Sequence, residues 1–142
     1  MKRTAFIVGT VLLAGCSAGD GARVTQDDSA PFAQIAEGEV VRFTGTEPFW
    51  GGEVVGEQLI YTTPENPDGA TIQVRRFAGM NGLGYSGTLD GAAFDLAITP
   101  GTCSDQMSDR SYPYTATLRL GDETRNGCAF TDAQPFAGPK TP

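Results

Sequence analysis

From residue 39 to residue 130 the chain breaks into short runs in which apolar and polar residues alternate. Successive side chains of an extended strand point to opposite faces, so each run can bury one face and wet the other. The runs cover residues 39–44, 50–55, 58–62, 70–77, 84–89, 93–99, 114–120 and 123–130. In the clearest, Phe94, Leu96 and Ile98 alternate with Asp95, Ala97 and Thr99, and Tyr114, Ala116, Leu118 and Leu120 with Thr115, Thr117 and Arg119. Turn residues separate them: Pro64 to Gly69, read as a loop with Asp68-Gly69 as its turn, then Asp90-Gly91 and Gly121-Asp122. No segment repeats its apolar residues at a helical period. About eight strands, each with one polar face, predict an all-β antiparallel meander. Closing it into a small barrel, lipocalin-like or lysozyme-inhibitor-like, would leave no exposed sheet edge.

The amino terminus carries different information. Lys2 and Arg3 precede an apolar run at 5–14, and Leu13-Ala14-Gly15-Cys16 closes it with small residues. This is the layout of a secretory signal. The run is shorter than the ~20 residues of a spanning helix, and Gly9 and Thr10 interrupt it. Leu-Ala-Gly-Cys also resembles the bacterial lipobox, which implies cleavage before Cys16 and lipidation of that cysteine. Ser17 follows, not Asp. By resemblance to Gram-negative sorting rules this implies the outer membrane, with the protein facing the periplasm. The expected organisation is a signal peptide at 1–15, a flexible acidic tether at 16–38, a β-barrel at 39–130 and a disordered tail at 131–142. Phe32 and Ile35 are the apolar points at which the tether would dock.

Charge and composition exclude several functions. The net charge is −7, and loss of Lys2 and Arg3 with the signal deepens it by two. An acidic surface is wrong for nucleic acid. The chain has no histidine, which removes Ser-His-Asp and Cys-His catalysis. With Cys16 assigned to lipid, Cys103 and Cys128 remain, and in an oxidising compartment they read as a disulfide. Two thiols do not make a structural zinc site. Asp105 and Asp109 lack the ligand spacing of a calcium loop. No metal, no cofactor and no enzymatic activity are expected.

Two clusters stand out as candidate sites. The first is Gly45-Thr46-Glu47-Pro48-Phe49-Trp50, which holds the only tryptophan. Trp50 reads as a structural plug or a ligand-stacking surface. Glu47 is a candidate partner for Arg110, and Arg110 is a candidate cation–π lid over Trp50. The second runs from Cys103 to Pro113 and contains Asp105, Asp109, Arg110 and Tyr112. It reads either as a loop capped by its own Ser and Asp side chains or as a recognition loop held by the disulfide. The stretch from Gly82 to Gly87 bears Tyr85 and reads as a binding loop or a glycine-kinked strand.

Together these segments resemble a family of uncharacterised bacterial lipoproteins marked by TEPFW, C…MSDR.YP and a terminal GC. The matching residues are Thr46 to Trp50, Tyr61 to Pro64, Cys103, Met107 to Arg110, Tyr112-Pro113 and Gly127-Cys128. The resemblance implies a small calycin-like or META-like β-barrel without assigning an activity. The expected function is non-enzymatic binding of a small ligand or envelope component, with the membrane contacted through lipid on Cys16. The alternatives are a module for a basic envelope protein, superficially similar to the membrane-bound lysozyme inhibitors, and a stress-related accessory role.

Overall fold

The computed structural model describes residues 30–141; the signal, Cys16 and most of the expected tether lie outside them. Eight strands follow in chain order: β1 (Val41–Thr46), β2 (Phe49–Val55), β3 (Gln58–Thr63), β4 (Asn66–Ala78), β5 (Leu83–Leu89), β6 (Ala92–Cys103), β7 (Tyr112–Leu120) and β8 (Glu123–Thr131). Each pairs antiparallel with the next, and β8 returns to β1 through Val41↔Thr131 to Thr44↔Cys128, so the barrel is closed. Among the described residues there is no α-helix. The interior is filled by the inward half of each alternating run, with Phe43, Val54, Leu59, Ile72, Val74, Phe94, Leu96, Ile98, Tyr114 and Leu118 among its members.

Three differences from the expected layout have physical causes. The segment expected as a loop at 64–69 is mostly strand. Only Pro64-Glu65 turns, and β4 begins at Asn66. Gly69 sits at φ +83° beside a register shift between Tyr61 and Thr63. Its left-handed conformation helps β4 absorb two extra residues in the ladder and does not reverse the chain.

The packed unit also extends beyond 39–130 at both ends. Phe32 and Ile35 are buried in the core. The Phe32 N–H donates to the Gly79 carbonyl at 2.7 Å, and the Arg76 guanidinium donates to the Ile35 carbonyl at 3.0 Å. Residues 32–35 therefore plug the barrel end at which β1 starts.

At the carboxyl end, Thr131 is fully buried and Ser111 and Ala137 exchange two backbone hydrogen bonds. The expected disordered tail is tied down because Phe136 finds an aromatic cluster to enter.

The Cys103–Cys128 disulfide joins the last residue of β6 to β8 across the intervening β7. Closing 25 residues stabilises the fold by about 3 kcal/mol on the chain-entropy model.

Candidate functional site

The two motif clusters meet on the outside of the barrel. β6 runs past β5 and stays paired with β7 as far as Cys103↔Tyr112, and the disulfide ties its end to β8. The following segment then crosses to β1, where the Thr46 hydroxyl donates to the Asp105 carbonyl at 3.3 Å. Between this arm and the barrel lies an open cleft of about 370 Å³. Its walls include Thr46 and Phe49 from the first motif, Asp105, Met107, Arg110 and Tyr112 from the second, and Phe130 and Phe136. Phe49 is 53% exposed and Met107 68%. Phe49 and Met107 thus leave apolar surface in water along one cleft.

The arm is held from within. Asp105 accepts hydrogen bonds from the Met107 N–H (3.1 Å), the Ser108 N–H (2.8 Å), the Ser108 hydroxyl (2.7 Å) and the Tyr112 hydroxyl (3.2 Å). Burial alone would push its carboxyl up. The donors from Ser108, Met107 and Tyr112 outweigh burial and bring it down to about 2. Asp105 therefore shapes the arm and is not offered to a partner, which is the capped-loop alternative.

Arg110 also works inward. Its guanidinium lies 4.6 Å from the centroid of the Phe136 ring and donates to the Pro139 (2.8 Å) and Lys140 carbonyls. The expected pairing with Glu47 and the expected lid over Trp50 are not formed, because the carboxyl-terminal segment takes up the guanidinium. Phe136 in turn packs edge-on against Phe130 at 5.1 Å and lies 5.5 Å from Tyr112. This cluster forms one wall of the cleft.

The remaining expected site residues are distributed elsewhere. Trp50 is 3% exposed and lies inside the barrel between Phe43 and Tyr61. It faces Gly45 across the ladder, where any Cβ would overlap the indole nitrogen. Its role is the plug. Tyr85 is buried in β5, so the Gly82–Gly87 stretch is strand and not a binding loop. Burial raises the Tyr85 hydroxyl, and the neighbouring Arg76 opposes that shift. Glu47 is exposed in the β1–β2 turn and lines an adjoining cleft with Gln106 and Met107. Asp109 is exposed on the arm. The motif glycine Gly127 is structural, since a Cβ there would overlap the Thr44 carbonyl where β8 meets β1.

Four apolar residues of the cleft were not singled out as binding residues from sequence: Phe49, Met107, Phe130 and Phe136. For Phe49 a signal existed. It is adjacent to Trp50 on one strand, so if Trp50 faces in, Phe49 must face out. Phe130 follows by the same parity. Met107 and Phe136 lie outside regular strands and carry no period.

At the opposite mouth, Arg125 donates to the Tyr61 hydroxyl and makes a two-point pair with Glu123 at 2.9 and 3.0 Å. The pair lowers the Glu123 carboxyl, and burial raises the Tyr61 hydroxyl. These groups cap the core beside Trp50. Comparison with protein-family models, with curated proteins and with solved structures finds no match for this chain.

Proposed function

We propose that this protein is a lipid-anchored cell-envelope module that binds its target in the outer cleft, by contact and not by catalysis. The observation that carries this reading is a convergence. Two motif segments far apart in sequence meet over one cleft and leave Phe49 and Met107 exposed there, while the barrel interior is occupied by its own side chains. The lipobox-like Leu13-Ala14-Gly15-Cys16 supports the anchor, and outer-membrane attachment facing the periplasm follows from Ser17. The cleft volume falls at the lower end of the range for small-ligand sites, roughly 300–1,000 Å³. Its apolar walls suit a small ligand or envelope component that inserts one apolar group.

Native mass spectrometry of the full chain purified from the envelope tests this. The expected result is an adduct that is released on denaturation and is absent from the Phe49→Ala/Met107→Ala variant. A wild-type chain with no adduct overturns the small-ligand reading.

A second occupant is favoured by charge. Glu47 and Asp109 are exposed on and beside the arm, and the chain carries −7 overall. A basic envelope protein, as for the lysozyme inhibitors, would be steered to such a surface. Its association would weaken as salt rises.

A further inference from the structure

We infer that the β4–β5 turn, with Phe77 and Met80 at its tip, is a membrane-contacting surface that sits in the interface of a phospholipid bilayer. This rests on the lipid-anchored reading above and adds an orientation to it.

Among the described residues, five large apolar side chains are exposed: Phe49, Val55, Phe77, Met80 and Met107. Phe49 and Met107 belong to the cleft. The other three lie at one end of the barrel, on the β2–β3 and β4–β5 turns, with Phe77 at 70% exposure and Met80 at 64%. The same end receives the chain. Residue 30 is the first described, and two residues later the Phe32 N–H bonds the Gly79 carbonyl of the β4–β5 turn. The segment that leads from Cys16 therefore joins the barrel beside Phe77 and Met80. The thirteen residues between Cys16 and Ala30 let the two ends lie at most ~50 Å apart when fully extended.

A cation stands beside the apolar tip. Arg75 is exposed on the same outer row of β4 as Phe77. With Arg76, Phe77, Gly84 and Ser86 it lines a cleft of about 410 Å³. Cationic side chains beside an apolar tip are suited to lipid headgroups, with the charge at the phosphates and the apolar group below them. This end also carries Glu57 in the β2–β3 turn, Glu39 before β1, Asp132 after β8 in its pair with Arg42, and Glu37, which lies 3.9 Å from the Arg76 guanidinium. At the opposite end every turn presents a carboxylate: Glu47, Glu65, Asp90 and Asp122. A bilayer interface accepts the Phe77 and Met80 tip with Arg75 beside it. The contact is a turn tip and not a broad face, which an acidic protein tolerates.

The test uses tryptophan quenching in the full lipidated chain, reconstituted into phosphatidylethanolamine–phosphatidylglycerol vesicles with brominated acyl chains. Trp50 is buried inside the barrel and supplies a constant background in the wild type. Phe77→Trp and Met80→Trp place a reporter on the turn, and Asp122→Trp places one at the far end. The expected result is at least about twofold stronger quenching of the reporters at 77 and 80 than of the one at 122, as for side chains inserted at the acyl boundary. A lipidated chain in which all three quench alike overturns the membrane contact and leaves the anchor intact. A mature chain whose mass shows no lipid on Cys16 overturns the anchor and, with it, the bilayer as occupant.

Discussion

Phe49 and Trp50 are neighbours in one motif and have opposite surroundings. Trp50 turns into the barrel, where Phe43, Tyr61 and the bare backbone of Gly45 enclose it. Phe49 turns outward and stays half in water beneath the 103–113 arm. The contrast extends to the two regions they represent. The interior is assembled from side chains at strict strand parity, and its closure leaves their apolar surface dry. The outer cleft is assembled from a strand edge, an irregular arm and the carboxyl-terminal segment, and it is kept open. A motif can therefore serve both stability and recognition, and parity on the strand separates the two roles.

The largest effect that would break this contrast lies inside. Trp50→Ala should cost about 3–5 kcal/mol of unfolding free energy, as for large aromatic truncations in cores. Thermal or denaturant unfolding measures it, and a loss below about 1 kcal/mol would show that Trp50 is not the plug. Next is the strap between the regions. Cys103→Ser with Cys128→Ser should cost about 3 kcal/mol, and hydrogen exchange should rise first in the 103–113 arm while the amides of β3 to β5 stay protected. Uniform loss of protection would mean that arm and barrel are one cooperative unit. Phe136→Ala removes an aromatic neighbour and the cation–π partner of Arg110, at about 1–2 kcal/mol. It should free residues 137–141 to early proteolysis.

The smallest effect on stability should be the largest on binding. Phe49→Ala should change stability by no more than about 0.5 kcal/mol and abolish the adduct sought by native mass spectrometry. Acid separates the regions as well. The Asp105 carboxyl is lowered from 3.8 to about 2 in the fold. Its contribution is complete above pH 3.8 and is lost as pH falls toward about 2. An acid titration followed by arm-specific exchange should show the arm loosening across that window. Asp105→Asn should flatten that dependence. An unchanged acid profile in that variant would place the sensitivity elsewhere, with Glu123 in its pair with Arg125 as the next candidate.

The barrel was legible because its strands are half-buried. Alternation over 93–99 and 114–120 gave both the strands and their inward residues, and turn dipeptides such as Asp90-Gly91 set the breaks. Asp68-Gly69 misled, because the same dipeptide serves a turn or a bulge and the ladder around it decides. The docking of Phe32 and Ile35 was expected, but the ordering of the tail was not, for a related reason. Phe32, Ile35 and Phe136 are isolated apolar residues in polar surroundings, and only a receptive barrel end or aromatic cluster makes them part of the fold. Glu47 and Arg110 were paired on charge alone, but Arg110 is satisfied by carbonyls from a segment about thirty residues away that no local pattern links to it.

By itself the sequence determined the all-β class, the strand count, the Cys103–Cys128 link and the absence of histidine chemistry. Each follows from local alternation or from a count of residue types. Only the tertiary structure decided that the interior is filled, that Asp105 and Arg110 find their partners within the chain, and that Phe49, Met107, Phe130 and Phe136 share one cleft. These depend on which distant segments touch, and that is set by barrel closure and the path of the arm across it.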